Sequence, residues 1–187
     1  AGENNTIVGA FAGDGSMTGG NNSLFGYEAG SAFTSGSSNV AIGNRALKRD
    51  TTGYYQVAIG AEALQAQELS GDVGSYTVAI GYQAGYNSNG GTLNTIVGGQ
   101  AGLSLTTGSE NIAIGYLALK SEDTTGKAVA IGHKALEDQN ASADSYNVAI
   151  GYNAGKEINT GNNSVFIGGQ AGHLTTSGFR NVFIGRD

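Results

Sequence analysis

The chain has 187 residues, with 33 glycines, no cysteine, proline or tryptophan, and a formal net charge of −6. Glycines that follow no Gly-X-Y register, in a chain without proline, exclude a collagen helix. The acidic balance argues against nucleic-acid binding, because an acidic surface repels phosphate backbones. No apolar run approaches the ~18 residues that a membrane-spanning helix needs, so we expect no membrane insertion by this segment.

One short phrase, usually N-V-A-I-G-x-x-A, recurs eleven times and predicts eleven short β-strands, each ending at a glycine. In chain order these glycines are Gly9, Gly26, Gly43, Gly60, Gly81, Gly98, Gly115, Gly132, Gly151, Gly168 and Gly185. Successive glycines lie 17 residues apart, except for two gaps of 21 and 19 residues. A repeat this short cannot bury its own apolar face, so it must stack on its neighbours. We therefore predict one all-β domain over residues 1–187, a parallel β-solenoid of about eleven coils, about 50 Å long and with almost no helix.

Each predicted strand is apolar on both faces. Counting the repeat glycine as position 0, positions −1 and −2 are apolar in every repeat, and position −3 is mostly valine. Neighbouring strand residues point to opposite faces, so both faces need cover. One face can line the interior, and another copy of the chain is the simplest cover for the other. We assign this oligomer seam to position −2: Ala41, Ala58, Ala79, Ala113, Ala130, Ala149, Phe166 and Phe183.

Three further columns describe the turns. Position +3 is alanine in all ten complete repeats, which indicates a tight corner. Position −7 is glycine in nine of eleven repeats and predicts a second turn with positive φ. Position −4 is asparagine in seven repeats. These asparagines either form a ladder along the rod or reflect a simple turn preference, and the sequence leaves both interpretations open.

A slower rhythm of four coils is superimposed on the repeat. Position +4 alternates between pairs of glycines and pairs of leucines, and each long gap follows the second leucine coil. The extra residues form two bulges, Gln65–Tyr76 and Glu137–Tyr146, which should emerge from the same edge of the rod. Inserted residues are the freest to carry recognition, so any ligand site is expected here. The candidates are Tyr76, Tyr146, Glu68, Asp72, Asp138 and Asp144.

The other readings of these residues are structural. The bulges can simply relieve a drift in register between coils, and their acids can form a solvated surface. Position +1 holds Tyr27, Tyr82, Tyr116 and Tyr152, which either stack on sugar rings or pack over small residues at a corner or seam. The two histidines lie in different columns, as scattered surface residues do. We expect no catalytic residues, no metal site and no cofactor.

The phrases N-V-A-I-G-Y-N-A-G (147–155), N-I-A-I-G-Y-L-A-L (111–119) and S-Y-T-V-A-I-G-Y-Q-A-G (75–85) resemble the head repeats of trimeric autotransporter adhesins, the YadA-like family. Similar T-T-G-x-x-N-x-A-I-G-x-x-A runs occur in phage tail fibres. The resemblance covers essentially the whole chain. It implies a left-handed β-roll, three chains side by side, and attachment to a surface.

The expected function is therefore that of a non-enzymatic fibre or adhesin head that binds a cell-surface glycan or a matrix protein. The alternative is a structural subunit of an extracellular or virion filament, built by end-to-end stacking of solenoids. Either role places the chain outside the cell, on a cell surface or in a virion fibre. Because it starts and stops within the repeat pattern, we expect it to be a piece of a longer fibre or a processed product.

Overall fold

In a computed structural model, which describes residues 2–69 and 74–186, eleven three-residue strands form one parallel sheet in chain order. No described residue is helical. The predicted all-β parallel solenoid is thereby confirmed. Strands β1 to β11 are Thr6–Val8, Ser23–Phe25, Val40–Ile42, Val57–Ile59, Val78–Ile80, Thr95–Val97, Ile112–Ile114, Val129–Ile131, Val148–Ile150, Val165–Ile167 and Val182–Ile184.

Every strand pairs with the next without a shift, so each sequence column becomes a straight row along the rod. Ala113 of β7 lies opposite Ala130 of β8. The hydrogen bonding continues past the strand ends, because the backbone N–H of Gly132 donates to the Ile114 carbonyl at 2.7 Å and that of Lys134 to the Tyr116 carbonyl at 2.9 Å. Both long gaps also leave the strands beside them in register. The inserted residues are therefore absorbed outside the sheet.

Position −2 points into the interior of the coil, so its assignment to an oligomer seam is wrong. Seven of the eight assigned residues are fully buried within their own chain, and the eighth, Phe183, is 36% exposed on the last strand. The Phe183 ring stacks on that of Phe166 with centroids 5.4 Å apart. The cause is strand alternation: once −2 faces inward, −1 and −3 both face outward. The buried residues are Ala41, Ala58, Ala79, Ala113, Ala130, Ala149 and Phe166.

The four-coil repeat at position +4 reflects how the interior is filled: side chains at positions +4 and +7 share the same space. Gly30, at +4, leaves room for Phe33, at +7, because an added Cβ would lie 2.8 Å from the Phe33 ring. In the next coil Leu47 occupies +4, and position +7 becomes Asp50. Leu47 and Asp50 are both fully buried. A large residue at one position is thus matched by a smaller or polar residue at the other.

The glycines at position −7 are required for space, and the expectation of positive φ there is wrong for most of them. A Cβ on Gly19 would lie 2.0 Å from the Gly36 carbonyl oxygen, and one on Gly108 would lie 2.2 Å from that of Thr125. Their φ angles are not in the left-handed region, although that of Gly178 is +138°. At Gly19 and Gly108 adjacent coils therefore approach too closely for a side chain, although Thr125 and Asp144 occupy position −7 in two other coils.

The asparagines at position −4 form a ladder whose bonds run from side chain to main chain. The Asn22 Oδ1 atom accepts from the Asn39 backbone N–H at 3.0 Å, and the Asn22 side-chain amide donates to the Gly36 carbonyl at 2.9 Å. Asn39, Asn94, Asn111 and Asn147 make the same pair of bonds to the following coil. The asparagines therefore bind consecutive coils together.

Gly115 and Gly99 provide a matched test of coil stacking. Gly115 has a φ of +135°, and its added Cβ would lie 2.4 Å from the Gly132 carbonyl oxygen. Gly99 has ordinary φ, and its Cβ would meet only the Tyr116 ring, at 3.4 Å. We expect Gly115→Ala to lower the free energy of unfolding by about 3 kcal/mol or more, and Gly99→Ala to change it by less than about 0.5 kcal/mol. Guanidinium unfolding followed by circular dichroism compares them, and equal midpoints would contradict the stacking argument.

Candidate functional site

The sheet presents an apolar surface to solvent, made of positions −3 and −1 of β1 to β11, here called the outer face. No charged residue occupies either position in any of the eleven strands. Ile42, Ile80 and Ile150 are 38–39% exposed. Sequence reasoning recognised that one face of the strands needs cover but chose the wrong column, because a run of apolar residues does not reveal which of them points inward.

The outer face is long for a surface of this kind. Eleven strands at a spacing of about 4.8 Å give a length near 48 Å, and three residues at about 3.3 Å give a width near 10 Å. The resulting apolar strip of about 500 Å² matches the largest patches that soluble monomers normally expose. Its size and the lack of charge make it a candidate contact surface.

The first bulge places Tyr76 at the surface beside another tyrosine. The Tyr76 side chain is 57% exposed, and its ring stacks on that of Tyr55 at a centroid distance of 5.2 Å. Glu68 lies 3.9 Å from an Arg49 guanidinium nitrogen, a weak exposed pair. No contact joins Glu68 to Tyr76 among the described residues, and Asp72 lies outside them. The described residues thus show an aromatic pair at Tyr76, and the predicted role of Asp72 beside it stays a prediction.

The second bulge brings two of its predicted residues together through a lysine that the sequence analysis did not single out. The Lys127 Nζ atom lies 2.6 Å from the Asp144 carboxylate and 3.3 Å from the Tyr146 hydroxyl, and it sits over the Tyr146 ring. The hydrogen bond from Lys127 holds the pKa of Asp144 below its ordinary value. Asp138 instead pairs with Lys156, at 3.9 Å.

Tyr76 and Tyr146 both occupy position −5, where the backbone is left-handed in each case. The in-register sheet therefore places them in one row, four coils and about 19 Å apart. The last residues of the two bulges thus share an edge, whereas residues 70–73 of the first bulge lie outside the described residues. Lys127 also occupies position −5, one coil before Tyr146. The sequence could therefore have indicated the Lys127–Asp144 ion pair if the residues at position −5 had been compared with those of the second bulge.

Position +1 carries a stack of rings. His133 lies between Tyr116 and Tyr152, with centroid distances of 5.5 Å and 5.1 Å. His133 is therefore part of an aromatic row. The sequence analysis described it as a scattered surface residue because it compared the two histidines only with each other. Across residues 2–69 and 74–186, no group of three or more His, Cys, Asp or Glu residues could hold a metal ion.

Position +2 adds a polar row beside the rings. Glu28 accepts from Arg45 at 2.9 Å and from Lys48 at 2.8 Å, and these two cations hold its pKa below the ordinary value, Lys48 first. Further along, Gln83 donates to Glu62 at 2.8 Å. The polar row and the outer face thus border the rings of position +1 on opposite sides.

Two fully buried acids were missed by the sequence analysis. Asp50 accepts from the Gly53 backbone N–H at 3.1 Å and from the Gln56 side-chain amide. Glu122, four coils further, accepts from the Thr125 hydroxyl at 2.6 Å and from the Gln139 amide at 2.8 Å. Neither makes an ion pair with a described residue. Burial raises the pKa of Asp50 above its ordinary value of 3.8.

No protein-family model, no curated protein and no solved structure matches this chain. The described part of the chain contains no helix that could cross a lipid bilayer.

We expect Asp50→Asn to stabilise the rod at neutral pH. Because the folded-state pKa of Asp50 is raised, its contribution to stability is fully present below pH 3.8 and is lost as the pH rises through the folded pKa. An uncharged amide removes that loss. Rotation of the Gln56 amide would present its unpartnered Oε1 to the introduced group. Chemical unfolding from pH 3 to pH 8 should show a higher midpoint for the variant, with the difference largest at the alkaline end.

Asp138→Asn is the matched control, because this carboxylate is 47% exposed and lies 3.9 Å from Lys156. Its removal should change stability by less than about 0.5 kcal/mol. A lower midpoint for Asp50→Asn at pH 8 would show that the buried carboxylate is stabilising.

Proposed function

We propose that this chain is a rigid, non-enzymatic attachment rod, which associates with copies of itself through the outer face and presents its remaining rows to a cell-surface glycan or matrix protein. The observation that carries the proposal is the uncharged outer face running along eleven strands in register. The resemblance to adhesin heads and tail fibres supports the same role, and we propose a location outside the cell or on a virion.

A second copy is the occupant that best suits the outer face. Its rows stay in register from β1 to β11, so the same rows of a second copy can lie along it coil for coil. Standard interfaces bury about 800 Å² per partner, and the apolar strip of about 500 Å² supplies more than half of that area. Three chains around a common axis, as in the resembling family, would bury it completely.

The attachment role uses the rows that stacking leaves free to vary. Positions −2, +3 and −4 are fixed by interior packing and by the ladder, whereas −5, +1 and +2 carry tyrosine, lysine, glutamate and glutamine in different coils. Several weak contacts on one rod, multiplied by the number of chains, give avidity without any single strong site.

Ile150 and Ala149 separate association from folding. Ile150 is 39% exposed on the outer face, and its neighbour Ala149 is fully buried inside the coil. Ile150→Glu should leave the circular dichroism spectrum unchanged and convert the oligomer into monomers, because it places an unpaired charge at the seam. Ala149→Glu should unfold its coil. Analytical ultracentrifugation measures the oligomer, and a stable monomer for the unmodified chain at micromolar concentration would overturn the proposed seam.

The bulges give the test of attachment. Deleting Ser142 and Ala143, with Ser70 to Val73, restores the spacing of 17 residues found elsewhere. If the bulges contact the target, the trimmed rod should fold and associate normally but bind glycan arrays and cultured cells at least tenfold more weakly. Unchanged binding would place the contact on another row.

Electron microscopy of the purified chain separates the attachment rod from the alternative of a filament subunit. Discrete short rods are the expected result. Long unbranched fibres would show end-to-end stacking and support the filament instead.

A further inference from the structure

We propose that Tyr82 and Tyr116 form the two walls of a slot, open above Gly99, that binds a single pyranose ring of a glycan. This deepens the proposed attachment role, on which it rests for the biological meaning of the ligand. The existence of the slot does not depend on that role.

The three residues that form the slot lie in one row on three consecutive coils. The Gln100 backbone N–H donates to the Tyr82 carbonyl at 2.8 Å, and the Leu117 N–H donates to the Gly99 carbonyl at 3.1 Å. These bonds fix position +1 of one coil above position +1 of the next. Tyr82 and Tyr116 are therefore separated by two coils, or about 9.6 Å, with only a glycine between them.

The same row contains an identical bracket that is already filled. Tyr116 and Tyr152 are also two coils apart, and the His133 ring lies between them, 5.5 Å and 5.1 Å from its neighbours. These distances are within the range of favourable ring contacts. A separation of two coils thus accommodates one inserted ring. At Gly99 the chain supplies no ring of its own.

The slot is accessible and its walls are exposed. Tyr82 is 55% and Tyr116 is 50% exposed. A Cβ built on Gly99 meets only the Tyr116 ring, at 3.4 Å and 3.9 Å, which are ordinary contact distances. Apart from Gly99 and its chain neighbours Gly98 and Gln100, nothing else in the described chain lies within 4 Å of that point.

The border of the slot favours a sugar over a flat aromatic ring. Gln83 and Gln100 follow Tyr82 and Gly99 directly, and the Gln100 amide donates to the Gln83 carbonyl oxygen at 2.9 Å. These carboxamides retain capacity to bond hydroxyls at the rim of an inserted ring. A pyranose carries C–H groups on its faces, which suit tyrosine walls, and hydroxyls around its edge, which suit the glutamines. A flat hydrocarbon ring would leave that remaining hydrogen-bonding capacity unused.

The test is saturation-transfer NMR on the full chain with a panel of methyl pyranosides, and with p-cresol as the flat aromatic probe. Gly99→His fills the slot with the ring that fills the neighbouring bracket. Gly169→His is the matched control, because it occupies the same column and its Cβ meets no atom within 4 Å, but it lies beyond Tyr152 rather than between two tyrosines. Tyr82→Ala removes one wall without adding volume.

We expect signal on the ring protons of at least one pyranoside with the unmodified chain and with Gly169→His, and at least a fivefold reduction with Gly99→His and Tyr82→Ala. Signal from p-cresol alone, signal that survives in Gly99→His, or no pyranoside signal from the unmodified chain would each overturn the slot. The attachment proposal can fail without the slot. If the slot variants lose the pyranoside signal, the slot is supported. If rods that lack both bulges and the slot nevertheless bind cells fully, attachment uses other residues.

Discussion

The backbone register between consecutive coils is the constraint on which the rest of this structure depends. Each strand pairs with the next without a shift, and the pairing continues through the corner after the repeat glycine. As a result any residue type that recurs at one position becomes a continuous row. The asparagine ladder, the stack around His133 and the outer face are all consequences of this translation by one coil. A shift of one residue would exchange the interior alanines for the outer isoleucines.

Much of this architecture could be predicted from the sequence because each repeat of the phrase corresponds to one coil of the solenoid. The spacing of the glycines gave the number of coils, and the alternation of glycine with leucine at +4 marked a real exchange of volume. The direction of a side chain is a different matter. Positions −2 and −1 are both apolar, and nothing in that pattern tells that Ala149 points inward and Ile150 outward. The size of the residues held the clue, since a narrow coil has room for alanine in most repeats.

The candidate sites were harder to predict, because they combine residues from different coils in ways the linear repeat conceals. The bulges drew attention to Tyr146 and Asp144, but their partner Lys127 comes from the preceding coil. Asp50 and Glu122 were not singled out, although the leucines before them displace the large residues that would otherwise fill the interior. Once columns rather than segments are compared, these juxtapositions follow from the register.

The exchange between positions +4 and +7 also governs how such a rod can change its length in evolution. Gain or loss of a single coil would leave three coils of one kind together, or one coil alone between two of the other kind, and would create an overlap or a cavity. Gain of a whole unit of four coils preserves every interior contact and repeats the same surface rows. Rod length is therefore expected to vary in steps of about 19 Å, so that reach and the number of contact sites increase together while the interior stays the same.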